Sequence, residues 1–126
     1  MFAEDNLVES FLQIVNRLYP SLSELLEQCH IRLLTSRSDR TGSEWQYIGI
    51  FCPRTLLPKV KARQRILQDV ARHLGLVEAS CLNATAIVYD PQSNLREADP
   101  SLWLELNWLV SAESSRNSHH DSEYQR

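Results

Sequence analysis

The stretch from Trp45 to Leu76 constrains the fold more than any other part of the chain. Residues 45–52 are almost wholly apolar, as expected for a strand that is covered on both faces. After a corner bounded by two prolines, residues 58–74 place apolar side chains near the 3.6-residue period of an amphipathic helix. Gly75 then supplies the left-handed conformation that commonly ends a helix. A strand followed directly by a helix that can pack on it predicts an α+β domain.

The segment before this unit predicts a helical hairpin. Asp5 or Asn6 can cap a first helix whose apolar residues recur at i, i+3 and i+4 spacing. Pro20 ends that helix, because a proline disfavours helical geometry in the residue before it. Ser21 and Glu24 then have the spacing of a capping box, which predicts a short second helix that runs back along the first.

Three segments predict the strands of a small sheet. Residues 31–35 and 45–52 flank a polar loop in which Gly42 can adopt a positive φ, so we expect an antiparallel hairpin. Residues 82–89 are rich in Thr, Ile, Val and Tyr and predict a third strand. A helix connects the second strand to the third, so if these two strands are parallel neighbours, the crossover between them should be right-handed.

The C-terminal segment permits two interpretations. Even-numbered positions in residues 102–110 are all apolar, which is a strand pattern, but apolar residues also recur there at helical spacing. The preceding Asp-Pro-Ser at residues 99–101 is a helix-start signal and favours a helix over a fourth strand. The sequence therefore predicts one α+β domain over residues 1–112, followed by a disordered polar tail over residues 113–126.

Composition narrows the class of protein. With 126 residues, of which 43% are hydrophobic and 23% charged, the chain is long enough and apolar enough to bury a core. Three cysteines without paired spacing argue against a disulfide scaffold. The sequence shows no signal peptide and no apolar run long enough to cross a membrane. We therefore expect a cytoplasmic protein that does not bind membranes.

Positive charge is concentrated in the middle of the chain. Residues 32–73 contain nine bases and three acids, although the whole chain has a net charge of −3. The polar side of the predicted helix 58–74 could neutralise nucleic-acid phosphates, dock an acidic protein, or simply face solvent. The candidate anion- or nucleic-acid-binding residues are Arg37, Arg40, Lys59, Lys61, Arg63, Arg65 and Arg72.

Surplus apolar residues in the last predicted helix indicate a second candidate surface. If Leu102, Leu106 and Leu109 face the core, then Leu104 and Trp108 fall on the opposite side, one turn apart. An exposed tryptophan beside a leucine is a typical interface anchor. The alternative is that the segment is buried all round. The candidate protein-binding residues are Trp103, Leu104 and Trp108.

No pattern in the sequence predicts catalysis, a cofactor or a metal site. The three glycines form no phosphate-binding loop, and the cysteines lack the spacing of a zinc site. Only a deep pocket near Asp90 and His73 would favour an enzyme. We therefore expect a non-catalytic adaptor or regulatory module that binds another protein or a second copy of itself. The alternative is a nucleic-acid-binding domain that uses helix 58–74.

Overall fold

The computed structural model describes the backbone of residues 3–124 and the side chains of residues 6–113. Within that part it contains seven helices and three strands and confirms the α+β class. The elements are α1 (Ala3–Leu18), α2 (Pro20–Leu26), β1 (His30–Arg37), β2 (Glu44–Cys52), α3 (Leu57–Lys61), α4 (Gln64–His73), β3 (Ala79–Asn83), α5 (Ala84–Val88), α6 (Leu95–Ala98) and α7 (Pro100–Tyr124).

The three strands form one mixed sheet in the order β1-β2-β3. β1 runs antiparallel to β2, with Leu33 opposite Ile48, and β2 runs parallel to β3, with Ile50 opposite Cys81. Gly42 has a φ of 75° in the loop that joins β1 to β2. The predicted antiparallel hairpin is therefore confirmed, as is the positive φ expected at Gly42. The parallel pairing of β2 with β3 meets the condition under which the sequence predicts a right-handed crossover.

Helices cover the central strand on both faces. Ile48, Ile50 and Cys52 alternate along β2 and are fully buried in a core built with α1, α2, α3 and α4. Phe51 points to the other face, into a second core cluster that includes Leu106 of α7. The sheet is thus the middle layer of three, as the apolar sequence of β2 predicts.

A glycine in β2 leaves room for a side chain of the adjacent strand. A Cβ atom at Gly49 would come within 2.5 Å of Leu34 Cδ1 on the adjacent strand. Real Cβ atoms do not approach other carbons so closely. Any larger residue at this position would therefore require the Leu34 side chain to shift.

The predicted third strand at residues 82–89 is wrong for most of its length. β3 occupies Ala79–Asn83, and the chain then turns at once into α5, Ala84–Val88. Asn83 explains the switch, because its Oδ1 accepts the N–H of Ala86 at 3.0 Å and so caps the new helix. The strand preference of the β-branched residues in this segment is therefore outweighed by a local helix cap and by packing against α7.

The predicted single helix at residues 58–74 is also wrong, because the structure divides it in two. α3 ends at Lys61 and α4 begins at Gln64, so each half can pack in its own direction. α3 contacts α2 and β3, whereas α4 contacts α1 and β3. The predicted stop at Gly75 is confirmed: its φ is 83°, and the N–H of Leu76 reaches back to Ala71 O at 3.0 Å.

The ends of α2 and α7 give one correction and one confirmation. The capping box at Ser21 is not formed, because α2 begins one residue earlier, at Pro20, with no side-chain cap. α7 is a helix rather than a fourth strand, and Asp99 Oδ1 accepts the N–H of Leu102 at 3.2 Å.

The expected disordered tail, residues 113–126, lies outside the described side chains except for its first residue and stays a prediction. No helix in the described part is long and apolar enough to cross a membrane.

Candidate functional site

The outer face of α7 carries an apolar pair. Leu102, Leu106 and Leu109 are buried against the sheet, as the helical spacing predicts. Leu104 and Trp108 therefore point outwards, and their exposed fractions are 66% and 70%. We call this pair the α7 patch. Because the buried residues of the same helix fix its position, the patch is held on a rigid support.

Trp103 does not belong to the α7 patch. Successive residues of an α-helix are rotated by about 100°, so Trp103 points to a different side of α7 from Leu104. Its side chain is half-buried, and its carbonyl accepts a hydrogen bond from Asn107 Nδ2 at 3.0 Å. The structure thus brings together two of the three predicted protein-binding residues.

Five bases in and between α3 and α4 are exposed, and none is paired with a described side chain. Across the part of the chain with described side chains, none of them forms an ion pair or a side-chain hydrogen bond. These bases are Lys59, Lys61, Arg63, Arg65 and Arg72. The break between α3 and α4 divides the polar side of the predicted helix 58–74 into two parts. On α4 itself, Asp69 lies between Arg65 and Arg72 on the outer face and lowers the local positive charge.

The two hairpin arginines differ from each other. Arg37 Nη2 lies 2.8 Å from Glu44 Oε2, across the end of the ladder between β1 and β2. Its charge is therefore balanced locally. Arg40 is exposed in the loop. Of these two predicted anion-binding residues, Arg40 is the one whose charge is not balanced by an ion pair among the described residues.

A groove along the outer edge of β1 is the site that sequence reasoning missed. It encloses about 600 Å³ and is floored by residues 30–35 of β1. Val8 and Leu12 of α1 form one wall, and Ser101 and Glu105 of α7 form the other. The sequence contains no direct signal for this groove, because it exists only if β1 is the outermost strand.

Charged side chains in this groove are partly paired. Arg32 Nη2 lies 3.3 Å from Asp99 Oδ2, and His30 Nδ1 lies 4.0 Å from Glu105 Oε2. His30 Nε2 is buried and has no hydrogen-bond partner in the described part of the chain. Burial lowers the pKa of His30; Glu105 opposes that shift and Arg32 adds to it. His30 is therefore neutral near pH 7.

Three cysteines that are distant in sequence meet in the first core. Cys29 Sγ lies 3.6 Å from Cys52 Sγ, and all three thiols are free. The hydrogen bond with Cys29, followed by burial, raises the pKa of Cys52 well above its ordinary value. Burial raises the pKa of Cys81 to about 11. No group of three or more His, Cys, Asp or Glu side chains among the described residues is arranged to hold a metal ion.

His73 and Asp90 do not line the same cavity among the main cavities of the described part of the chain. His73 lines a cavity of about 340 Å³ with residues of α1 and α4, and Asp90 is not among the residues around it. Asp90 instead accepts the N–H of Gln92 at 2.9 Å in a turn. The pair that would favour an enzyme is therefore not assembled at this cavity.

Comparisons with protein-family models, with curated proteins and with solved structures returned no match for this chain. The fold defines a structural class: an α+β domain with a three-stranded mixed sheet between two helical layers. A proposal for its function depends on the surfaces described above.

Proposed function

We propose that this chain is a non-catalytic, cytoplasmic protein-interaction module that docks a partner through the α7 patch. The observation that carries the proposal is the exposure of Leu104 and Trp108, 66% and 70%, one helical turn apart. Scattered exposed apolar residues are common on monomers, whereas an adjacent tryptophan and leucine form the kind of anchor that interfaces use.

The energetics of the patch favour docking. Burying a leucine-sized side chain stabilises a complex by about 1.5–3 kcal/mol, and a tryptophan offers still more area. Both side chains belong to a helix that already packs on the sheet through Leu102, Leu106 and Leu109. Binding therefore does not require the backbone of this segment to become ordered, which lowers the entropic cost of association.

The experiment compares two double variants that carry the same change in charge. Leu104→Glu with Trp108→Glu disrupts the patch, and Leu18→Glu with Val77→Glu places the same two charges at exposed apolar sites elsewhere. Circular dichroism first establishes that both variants fold. Size-exclusion chromatography with light scattering then gives the association state of each protein.

Two results support the proposal. In one, the wild-type protein and the control variant are dimers whereas the patch variant is a monomer, so the partner is a second copy. In the other, the protein is a monomer, and quantitative affinity capture yields a protein that the control binds as well as wild type does and the patch variant loses. Equal association and equal captured proteins for both variants contradict the proposal.

A nucleic-acid-binding domain is the second candidate, and it is favoured by the five exposed bases in and between α3 and α4, none of which pairs with a described side chain. Its weakness is the net charge of −3 and the position of Asp69 among those bases. Lys61→Glu, Arg65→Glu and Arg72→Glu together should abolish binding to a mixed RNA and DNA pool, and wild-type binding should weaken steeply with salt. Arg17→Glu, Arg54→Glu and Arg96→Glu form the matched control, with the same change in net charge at other exposed positions. Equal loss of binding in both triple variants would exclude the basic face as a specific site.

A further inference from the structure

The outer edge of β1 has backbone groups that no other described strand occupies, because β1 pairs only with β2. The direction in which these groups point can be deduced from the hydrogen bonds that β2 makes on its opposite side. Gln46 O accepts the N–H of Val77 at 3.2 Å, and Ile48 N–H donates to Glu78 O at 3.0 Å. Even-numbered residues of β2 therefore turn their backbone groups towards β3, and odd-numbered residues turn theirs towards β1.

The register of the β1–β2 hairpin then shows which residues of β1 point their backbone groups towards β2. Arg32 lies opposite Gly49, and Leu34 lies opposite Tyr47, so the backbone groups of Arg32 and Leu34 point inwards to β2. The odd-numbered residues of this stretch direct their N–H and C=O groups to the open edge. These residues are Ile31, Leu33 and Thr35. Outside the ladders, no hydrogen bond between described residues uses these six groups.

Edge strands are usually protected against pairing, and β1 lacks several of the common protective features. These features include a very short strand, a proline, a bulge and charged side chains, lysine above all. β1 has eight residues, contains neither proline nor lysine, and keeps a regular register with β2 from His30 to Arg37. An edge with these properties can accept an added strand through its main chain.

The groove of about 600 Å³ fits an extended peptide along this edge. An added strand would lie about 4.8 Å from β1, and its side chains would alternate between the two faces of the sheet. On one face they would meet α1, whose lining side chains are the apolar Val8 and Leu12 together with Glu9. On the other face they would meet Ser101 and Glu105 of α7, which form a polar wall.

The charge of the groove selects among possible occupants. Its lining contains three carboxylates, Glu9, Asp99 and Glu105, against the single guanidinium of Arg32. Arg32 already pairs with Asp99 at 3.3 Å, and the side chain of Glu105 is 57% exposed. Because the lining is net negative, a basic segment is attracted to it and an acidic segment is repelled.

We propose that the outer edge of β1 binds an extended segment of a partner protein as a fourth strand. The segment alternates apolar residues, which contact Val8 and Leu12, with basic residues, which pair with Glu105. A second copy of this chain fits less well, since two-fold pairing of two β1 edges would set two grooves of like charge against each other. The binding surface adjoins the α7 patch, but neither Leu104 nor Trp108 lines the groove.

The probe is a fluorescein-labelled eight-residue peptide of alternating valine and lysine, and its binding is measured by fluorescence anisotropy. Two controls are an alternating valine and glutamate peptide and a peptide with the lysines and valines in separate blocks. We expect the alternating basic peptide to bind and both controls to bind about tenfold more weakly or worse, because only the first matches both the wall alternation and the charge.

Two protein variants test the geometry. Thr35→Pro removes an outward N–H at an exposed position without removing a hydrogen bond to β2, and Thr35→Ala is its control. We expect the proline variant to weaken binding about tenfold and the alanine variant to retain it. Glu105→Lys should weaken binding of the basic peptide about fivefold and improve binding of the acidic one. If Thr35→Pro fails to fold, Glu105→Lys still tests the site.

Amide hydrogen exchange locates the bound strand. The amides of Ile31, Leu33 and Thr35 should exchange faster than those of Arg32 and Leu34 in the free protein and should slow on addition of the basic peptide. Equal affinity for all three peptides, or peptide binding without protection of the outward amides, would overturn the proposal. The proposal would also be overturned if the protein without peptide were a dimer and Thr35→Pro were the only variant to make it a monomer. The occupant of the edge would then be a second copy. The Leu104→Glu, Trp108→Glu variant should still bind the peptide, which separates this result from the α7 patch.

Discussion

His30 experiences opposing electrostatic influences at the start of β1. Its ring lies 6.2 Å from that of Phe51, centroid to centroid, and its Nε2 is buried without a partner among the described residues. Glu105, 4.0 Å from Nδ1, stabilises the charged form, but burial outweighs it and lowers the pKa. The folded protein therefore binds a proton at this site less readily than the unfolded chain does.

This shift predicts a loss of stability in mild acid. Because the folded-state pKa of His30 lies below its ordinary value of 6.5, the unfolded state takes up the proton first as the pH falls. The free energy of unfolding should therefore decrease from about pH 7 through the window below 6.5, until the folded-state pKa is passed. Urea denaturation at pH 7.5, 6.0 and 5.0 measures this slope.

A substitution isolates the contribution of His30 from that of the carboxylates. His30→Gln removes the titrating group, so the slope between pH 6.5 and 5.0 should become shallower than in wild type. His73→Gln makes the same chemical change at an exposed position at the end of α4 and serves as the control. Identical slopes in wild type and His30→Gln, or equal changes in both variants, would contradict the assignment of this slope to burial of His30.

At the scale of the elements, strong local signals were sufficient where packing agreed with them. The amphipathic spacing predicted the buried face of α7 and hence the exposure of Leu104 and Trp108. The helix stop at Gly75 and the turn at Gly42 were predictable because only a positive φ fits those positions. In each case the physical requirement lies within a few residues.

Other elements depended on competition between local and tertiary preferences. Residues 84–88 are rich in strand formers, yet the cap from Asn83 and contacts with α7 make them α5. The apolar positions of residues 58–74 fit one helix, yet α3 and α4 pack on different neighbours and the helix breaks between them. Periodicity alone does not contain these contacts, so the sequence could not predict either outcome.

At the scale of the whole molecule, the missed sites are those created by strand order and layer packing. The groove beside β1 exists because β2 occupies the centre of the sheet and β1 its edge. Ser101 and Glu105 line this groove, and Trp108 follows them at i+7 and i+3 along the same side of α7. The proposed strand site and the α7 patch are therefore neighbouring surfaces, and one partner could contact both.

The cysteine cluster is likewise a product of the assembled layers and offers a probe of their integrity. Cys52 ends the central strand and is fully buried, with Cys29 beside it in the loop after α2. The thiolate is the form that reacts with iodoacetamide. The raised pKa of Cys52 and its burial therefore predict that it stays unlabelled at pH 8 while the first core is intact.

The labelling rate of Cys81 can be compared with that of Cys52 in the same molecule. Burial, with the nearby Cys52 thiol, raises the pKa of Cys81 from 9.0 to about 11, so its thiolate fraction at pH 8 is about 100-fold smaller than that of an unshifted thiol. We expect slow labelling of Cys81 in the folded protein, and an increase in its rate up to about pH 11. Cys52 should become labelled only as urea unfolds the chain, in parallel with the loss of helical circular dichroism. Mass spectrometry of each cysteine peptide measures both rates. Labelling of Cys52 well below the urea concentration that unfolds the helices would show that the helical layer over the first core opens separately from the rest of the domain.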